Sequence, residues 1–96
     1  MSIISENDAL AAFCDRQANA QFITVDTEFL RDKTYWPRLC LIQIGGPDEE
    51  AAIDSLAEGI DLTPLLDLMR KPDLLKVFHA ARQDFEIFYR LMGELP

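Results

Sequence analysis

Histidine is almost missing from this chain: His79 is the single one in 96 residues. Only two cysteines, Cys14 and Cys40, accompany it, without CxxC spacing. A structural zinc site built on His and Cys is therefore excluded, and both cysteines read as buried free thiols. Basic residues are scarce too, 9 against 17 acids, for a net charge of −8. That balance argues against a general nucleic-acid binder, whose affinity rests on a basic footprint. It leaves room for a protein whose acids hold cations and whose cations meet phosphates. No apolar run approaches the ~20 residues of a membrane span. The opening "MSIISENDAL" lacks the basic start of a signal peptide and reaches acids at once. Gly45-Gly46 is a turn, having neither the P-loop lysine nor the dinucleotide-binding pattern. The expectation is a soluble, cytoplasmic protein.

What is present is a core. Hydrophobic residues make up 49% of the chain, which excludes disorder, and the length bounds it to one small domain. "SENDALAAFCDRQAN" predicts a first helix, capped by Ser5 with Asp8 as reciprocal partner and with Leu10, Phe13 and Cys14 on its apolar side. "QFITVDTEF" predicts a strand. "LRDKTYWPR" is a connector, and "LCLIQIG", apolar on both faces, a central strand in a covered sheet. "GPDEE" is a turn and "AAIDS" a short strand. "DLTPLLDLMRK" predicts a helix with Asp61 or Thr63 as cap, Pro64 in its first turn and Pro72 ending it. "LLKVFHA" predicts a further strand, and "ARQDFEIFYRLMG" a helix stopping at Gly93. The fold class is α/β: a mixed sheet packed against helices, with an antiparallel meander followed by a parallel strand. Pro96 follows a helix end, where a further element would ordinarily start. Residues 1–96 are therefore expected to be the N-terminal portion of a single longer domain.

Two acids interrupt the first strand. Alternation places Phe22, Thr24, Asp26 and Glu28 on one face, the last two at its C-terminal end. Residues two apart on a face lie about 6–7 Å apart, so both carboxylates can converge on a hard divalent cation. A strand end emerging into solvent, with both acids hydrated, explains the same residues. The last helix adds a third acid. With Asp84 at zero and about 100° per residue, Phe88 falls near ~40°, Met92 ~80°, Phe85 ~100°, Leu91 ~340° and Ile87 ~300°. Asp84 then lies in the middle of the apolar arc, where a carboxylate needs a partner. A cation supplies one, and so do the N–H groups of the helix's first turn.

These residues carry a resemblance. "VDTEFLRDKTYWPRLCLIQIG", followed by "KVFHAARQDFEIF" and "GELP", resembles the N-terminal part of the ribonuclease D family, within the DEDD superfamily of 3′–5′ exonucleases. The match runs from about Gln21 to Pro96 and rests on two separated motifs and the segment between them. It implies a ribonuclease H-like fold. It also implies two divalent cations, Mg²⁺ or Mn²⁺, with Asp26 and Glu28 as the first motif's ligands and Asp84 as the second motif's aspartate. The implied reaction is hydrolysis from RNA 3′ ends, with transfer RNA precursors the usual kind of substrate. The family's third motif, a tyrosine and an aspartate well downstream of Asp84, has no counterpart in these residues, since Tyr35 and Tyr89 are misplaced for it. The chain alone is accordingly expected to cut slowly or not at all.

Phe29, His79, Arg82 and Gln83 flank these acids and are the candidate substrate-binding residues: Phe29 by stacking on a terminal base, Arg82 and Gln83 by meeting a phosphate, and His79 by touching a phosphate or serving as a base. Packing, a purely structural role and plain solvation account for the same side chains, and for Arg31, Lys33, Tyr35, Trp36 and Arg38 nearby. Two competing readings remain: an inactive nucleic-acid-binding or self-associating module that keeps the motif, and the same chemistry on DNA. An uncovered apolar sheet face would favour self-association.

Overall fold

The computed structural model describes residues 2–30, 38–78 and 88–93, and the side chains of residues 29, 30 and 38–40 are outside that description. Five strands form one sheet, β1 (Ser2–Ile4), β2 (Phe22–Leu30), β3 (Arg38–Gly45), β4 (Glu50–Asp54) and β5 (Leu75–Phe78), in the order β1-β4-β3-β2-β5. Two helices, α1 (Asn7–Gln17) and α2 (Thr63–Arg70), and the helical residues 88–92 accompany it. The meander β2-β3-β4 is antiparallel, and β5 returns parallel to β2 after the α2 crossover. Because β1 is parallel to β4, four of the described strands run one way and, among them, β3 alone runs back. The C-terminal ends of β1, β2, β4 and β5 therefore share one edge of the molecule.

The β-branched alternation of β2 and β3 explains the core. Ile23 and Val25 of β2 share one face with Ile42 and Ile44 of β3, Val25 directly opposite Ile44, joined by Ala51 and Ile53 of β4, and all six are buried. Leu10, Phe13 and Cys14 of α1, Leu65, Leu68 and Met69 of α2, and Phe88 pack on that same face. Each fully buried Leu, Ile or Phe contributes about 1.5–3 kcal/mol. Phe78 meets Phe88 edge-to-face at a centroid distance of 6.0 Å, tying β5 to the helical residues 88–92. Gly93, at φ 74°, stops this helix, and its N–H donates to the Tyr89 carbonyl at 2.8 Å.

The element order differs from the expected one at the start. Ser2–Ile4 is a strand, with Ile4 buried against Ile53 in register. Drawing these residues into the sheet moves the helix start on. Glu6 is the N-cap of α1 and no side chain caps it, so the Ser5–Asp8 box does not form. Asn7 instead donates from Nδ2 to the Gly59 carbonyl at 3.0 Å and accepts the Asp61 N–H at Oδ1, 2.7 Å away. Asp61 in turn accepts both the N–H and the hydroxyl of Thr63, so it holds the start of α2 although Leu62 is the N-cap residue.

β3 is the central strand, as expected, but among the described residues the sheet is not covered on both faces. Among the described residues the helices lie on one side. On the other, Ile3 is 71% exposed, Phe22 50%, Leu75 64% and Val77 46%.

Candidate active site at the end of the second strand

β2 is long, nine residues, and β5 is short, four. Their parallel register runs Phe22 to Leu75, Ile23 to Lys76, Thr24 to Val77 and Val25 to Phe78. Asp26 is therefore the first β2 residue past the end of β5, and from there on β3 is its only described strand neighbour. In open α/β sheets this is where ligands bind, beyond the carboxyl ends of parallel strands, where backbone and side chains face an unfilled crevice. An open groove of about 400 Å³ lies there, lined by Thr24, Val25, Asp26, Val77 and Phe78.

Asp26 and Glu28 stand on the sheet face opposite the core, across from Gln43 and Leu41 of β3. Asp26 is half-buried and Glu28 exposed. The Asp26 Oδ1 accepts the N–H of Thr27 at 2.9 Å, which fixes the carboxylate close to its own backbone. An ionised carboxylate has roughly four lone-pair sites, so this one bond leaves acceptor capacity for a cation. Asp54, at the C-terminal end of β4, pairs with Leu41 and so lies on the same face and edge. Its Oδ1 accepts the Leu56 N–H at 2.9 Å. The edge is thus acidic on two of its strands.

Immediately after Glu28 the pairing slips: Glu28 lies opposite Leu41 but Phe29 opposite Leu39. Such a bulge bends the strand and re-aims the side chains beyond it, and bulges recur beside active sites. The extra residue lies on β3, between Leu39 and Leu41.

The donor set fits a hard divalent cation in kind: two carboxylates on one face at a spacing of two, at an open strand end, with further positions for water. Among the described residues no cluster of three or more His, Cys, Asp or Glu is assembled. Asp84, His79, Arg82 and Gln83 lie outside the described residues, as do Arg31, Lys33, Tyr35 and Trp36. Of the expected apolar arc, Phe88, Leu91 and Met92 are among the described residues. Phe88 is buried and Met92 packs against the core, but Leu91 is 40% exposed. The expected core side holds for Phe88 and Met92 and not for Leu91. The residues that sequence reasoning missed around the acids are Thr24, Gln43 and Val77. Their approach depends on strand register, which no local pattern states.

A family model described as a 3′–5′ exonuclease matches residues 1–96. The chain belongs to the 3′–5′ exonuclease family. It is 54% identical over 94 residues to the ribonuclease D of Acidiphilium cryptum and 53% identical over 96 to that of Nitrobacter hamburgensis. The match covers 98% and 100% of this chain, respectively, and 24% and 25% of those proteins. The crystal structure of Escherichia coli RNase D, an exoribonuclease involved in structured RNA processing, superposes with a TM-score of 0.87 at 40% identity. That superposition covers 99% of this chain and 25% of the other. The mixed sheet is thus the ribonuclease H-like exonuclease fold, and the chain spans about a quarter of the length of the relatives it matches.

Proposed function

We propose that this chain carries part of the active site of a ribonuclease D-like 3′–5′ exoribonuclease, acting on RNA 3′ ends of the kind found on transfer RNA precursors. One observation carries the reading: Asp26 and Glu28 share a face at the C-terminal end of β2, where β5 has already stopped. Family membership over the whole chain supports it.

In this reading Asp26, Glu28 and Asp84 hold two divalent cations, Mg²⁺ or Mn²⁺. Bound there, the cations supply a water activated at neutral pH and stabilisation of the leaving 3′ oxygen. The chain's own residues do the positioning. The bond from the Thr27 N–H orients Asp26. The groove over Thr24 and Val77 gives the 3′-terminal nucleoside an apolar wall beside the carboxylates. Phe29 stacks on the terminal base, and His79, Arg82 and Gln83 meet the phosphate backbone. The products are nucleoside 5′-monophosphates. The family's tyrosine–aspartate motif is not found in these 96 residues, so the chain by itself is a slow or inactive nuclease. The setting is cytoplasmic; among the described residues no helix is long and apolar enough to cross a membrane.

The test offers 3′-labelled RNA and DNA side by side with Mn²⁺, to the 96-residue chain and to a longer ribonuclease D-like form bearing it. Release of label from RNA by the longer form supports the reading. Release from DNA alone makes it a deoxyribonuclease. No release by either form leaves an inert binding module.

A further inference from the structure

β3 is apolar from Leu41 to Gly45 except at Gln43. Register sets this residue between two partners on the sheet face away from the core, Asp26 of β2 on one side and Ala52 of β4 on the other. Alanine has no polar side-chain atom, so Asp26 is the one polar side chain directly across from Gln43. The Cβ atoms of such cross-strand pairs lie about 4.5–5.5 Å apart, within the span of a glutamine facing an aspartate. Gln43 is half-buried, and its amide forms no hydrogen bond with another described residue.

The chemistry of the face singles this amide out. Among the described side chains of β2, β3 and β4 there, Asp26, Glu28, Glu50 and Asp54 are carboxylates, and Gln43 is the one N–H donor. Asp26 accepts the Thr27 N–H at Oδ1, which leaves further acceptor sites on the carboxylate. A carboxylate that ligates a cation is itself held by hydrogen bonds, and loss of such a partner costs about ten- to a hundredfold in metal affinity or activity.

We propose that Gln43 is a positioning residue for the cation site: its amide N–H donates to the Asp26 carboxylate and fixes the orientation in which Asp26 receives the cation. The assignment rests on the placement of that site at Asp26 and Glu28. Being uncharged, the amide orients the carboxylate without competing with the cation for it, as a lysine or arginine at this position would.

The test uses a longer ribonuclease D-like form bearing these residues, with Mn²⁺ affinity read from the electron paramagnetic resonance signal of the free ion. Gln43→Met keeps the length of the side chain and removes the donor, and circular dichroism should show the fold retained. Mn²⁺ affinity should fall about tenfold or more, with KM for a 3′-labelled RNA unchanged once Mn²⁺ is saturating. In an Asp26→Asn background the same change should add less than about twofold, because Gln43 acts through that carboxylate. Unchanged Mn²⁺ affinity in Gln43→Met, beside a clear loss in Asp26→Asn, overturns the Gln43 assignment and leaves the cation site standing. Unchanged affinity in Asp26→Asn overturns the site itself, and the assignment with it. A full further loss in the double variant makes Gln43 a ligand in its own right, and a raised KM for RNA at unchanged Mn²⁺ affinity makes it a substrate contact. Either result overturns the positioning role.

Discussion

Val25 pairs with Phe78, the last residue of β5, and Asp26 is the next residue along β2. The strand thus passes from core to open groove within a single residue: Val25 faces the core, and Asp26 faces the groove past the neighbouring strand's end. The register explains how two acids are tolerated in an otherwise apolar strand. They sit on the face away from the core, where water or a cation can reach them.

Asp26→Asn should reduce Mn²⁺-dependent 3′ trimming about a hundredfold or more in a longer form that trims RNA, because a neutral amide binds a hard cation poorly. The fold should be unaffected, since the amide oxygen can still accept the Thr27 N–H. Trimming assays and thermal melts on one preparation separate the two effects. Unchanged trimming would remove Asp26 from the site.

The 96-residue chain should bind Mn²⁺ no more tightly than roughly millimolar, because affinity for such cations rises with the number of charged oxygen ligands. Isothermal calorimetry reads this directly. A micromolar constant would mean that these residues already complete a site.

Gly46→Ala should destabilise the chain by about 1–3 kcal/mol through overpacking. A Cβ at Gly46 would lie 1.7 Å from the Gln17 Oε1. Gln17 is only 2% exposed, and its Nε2 donates to Glu49 at 2.9 Å, so it cannot swing aside without breaking that bond. Denaturant midpoints compared for both proteins would show it, and equal midpoints would contradict it.

Glu49 also accepts two hydrogen bonds from the Arg16 guanidinium, at 2.7 and 2.9 Å. These hold its carboxyl below the ordinary value of 4.5. A depressed carboxyl stabilises the fold above its unfolded-state value and loses that contribution as pH falls through the folded-state value. The acid limb of the melting profile below about pH 4.5 should therefore be shallower in Glu49→Gln than in the parent. Parallel limbs would show that the pair contributes nothing to the pH dependence.

Much of this architecture is legible in the residues, for physical reasons. The meander shows itself because β2 alternates strongly, β3 is a short apolar run, and β2, β3 and β4 follow one another closely in the sequence. The parallel return of β5 follows from the α2 crossover. β1 escapes because three residues, Ser2–Ile4, are too few to display a period, and its partner β4 lies far along the chain. The Ser5–Asp8 cap signature is sound chemistry defeated by that distant pairing. For the site, the i, i+2 spacing of Asp26 and Glu28 is local and readable. The bulge after Glu28 and the approach of Thr24 to Val77 are set by neighbouring strands and leave no mark in the sequence. Leu91, expected on the apolar side of the last helix, is 40% exposed, which helical periodicity alone does not disclose.

The direction of β1 has a practical consequence. It runs parallel to β4 and β2, so Ser2 lies at the edge of the sheet opposite Asp26 and Glu28. A tag, surface tether or fluorophore fused ahead of Ser2 would emerge on the far side of the molecule. Chains immobilised that way would present their acidic edge outward, open to the solution.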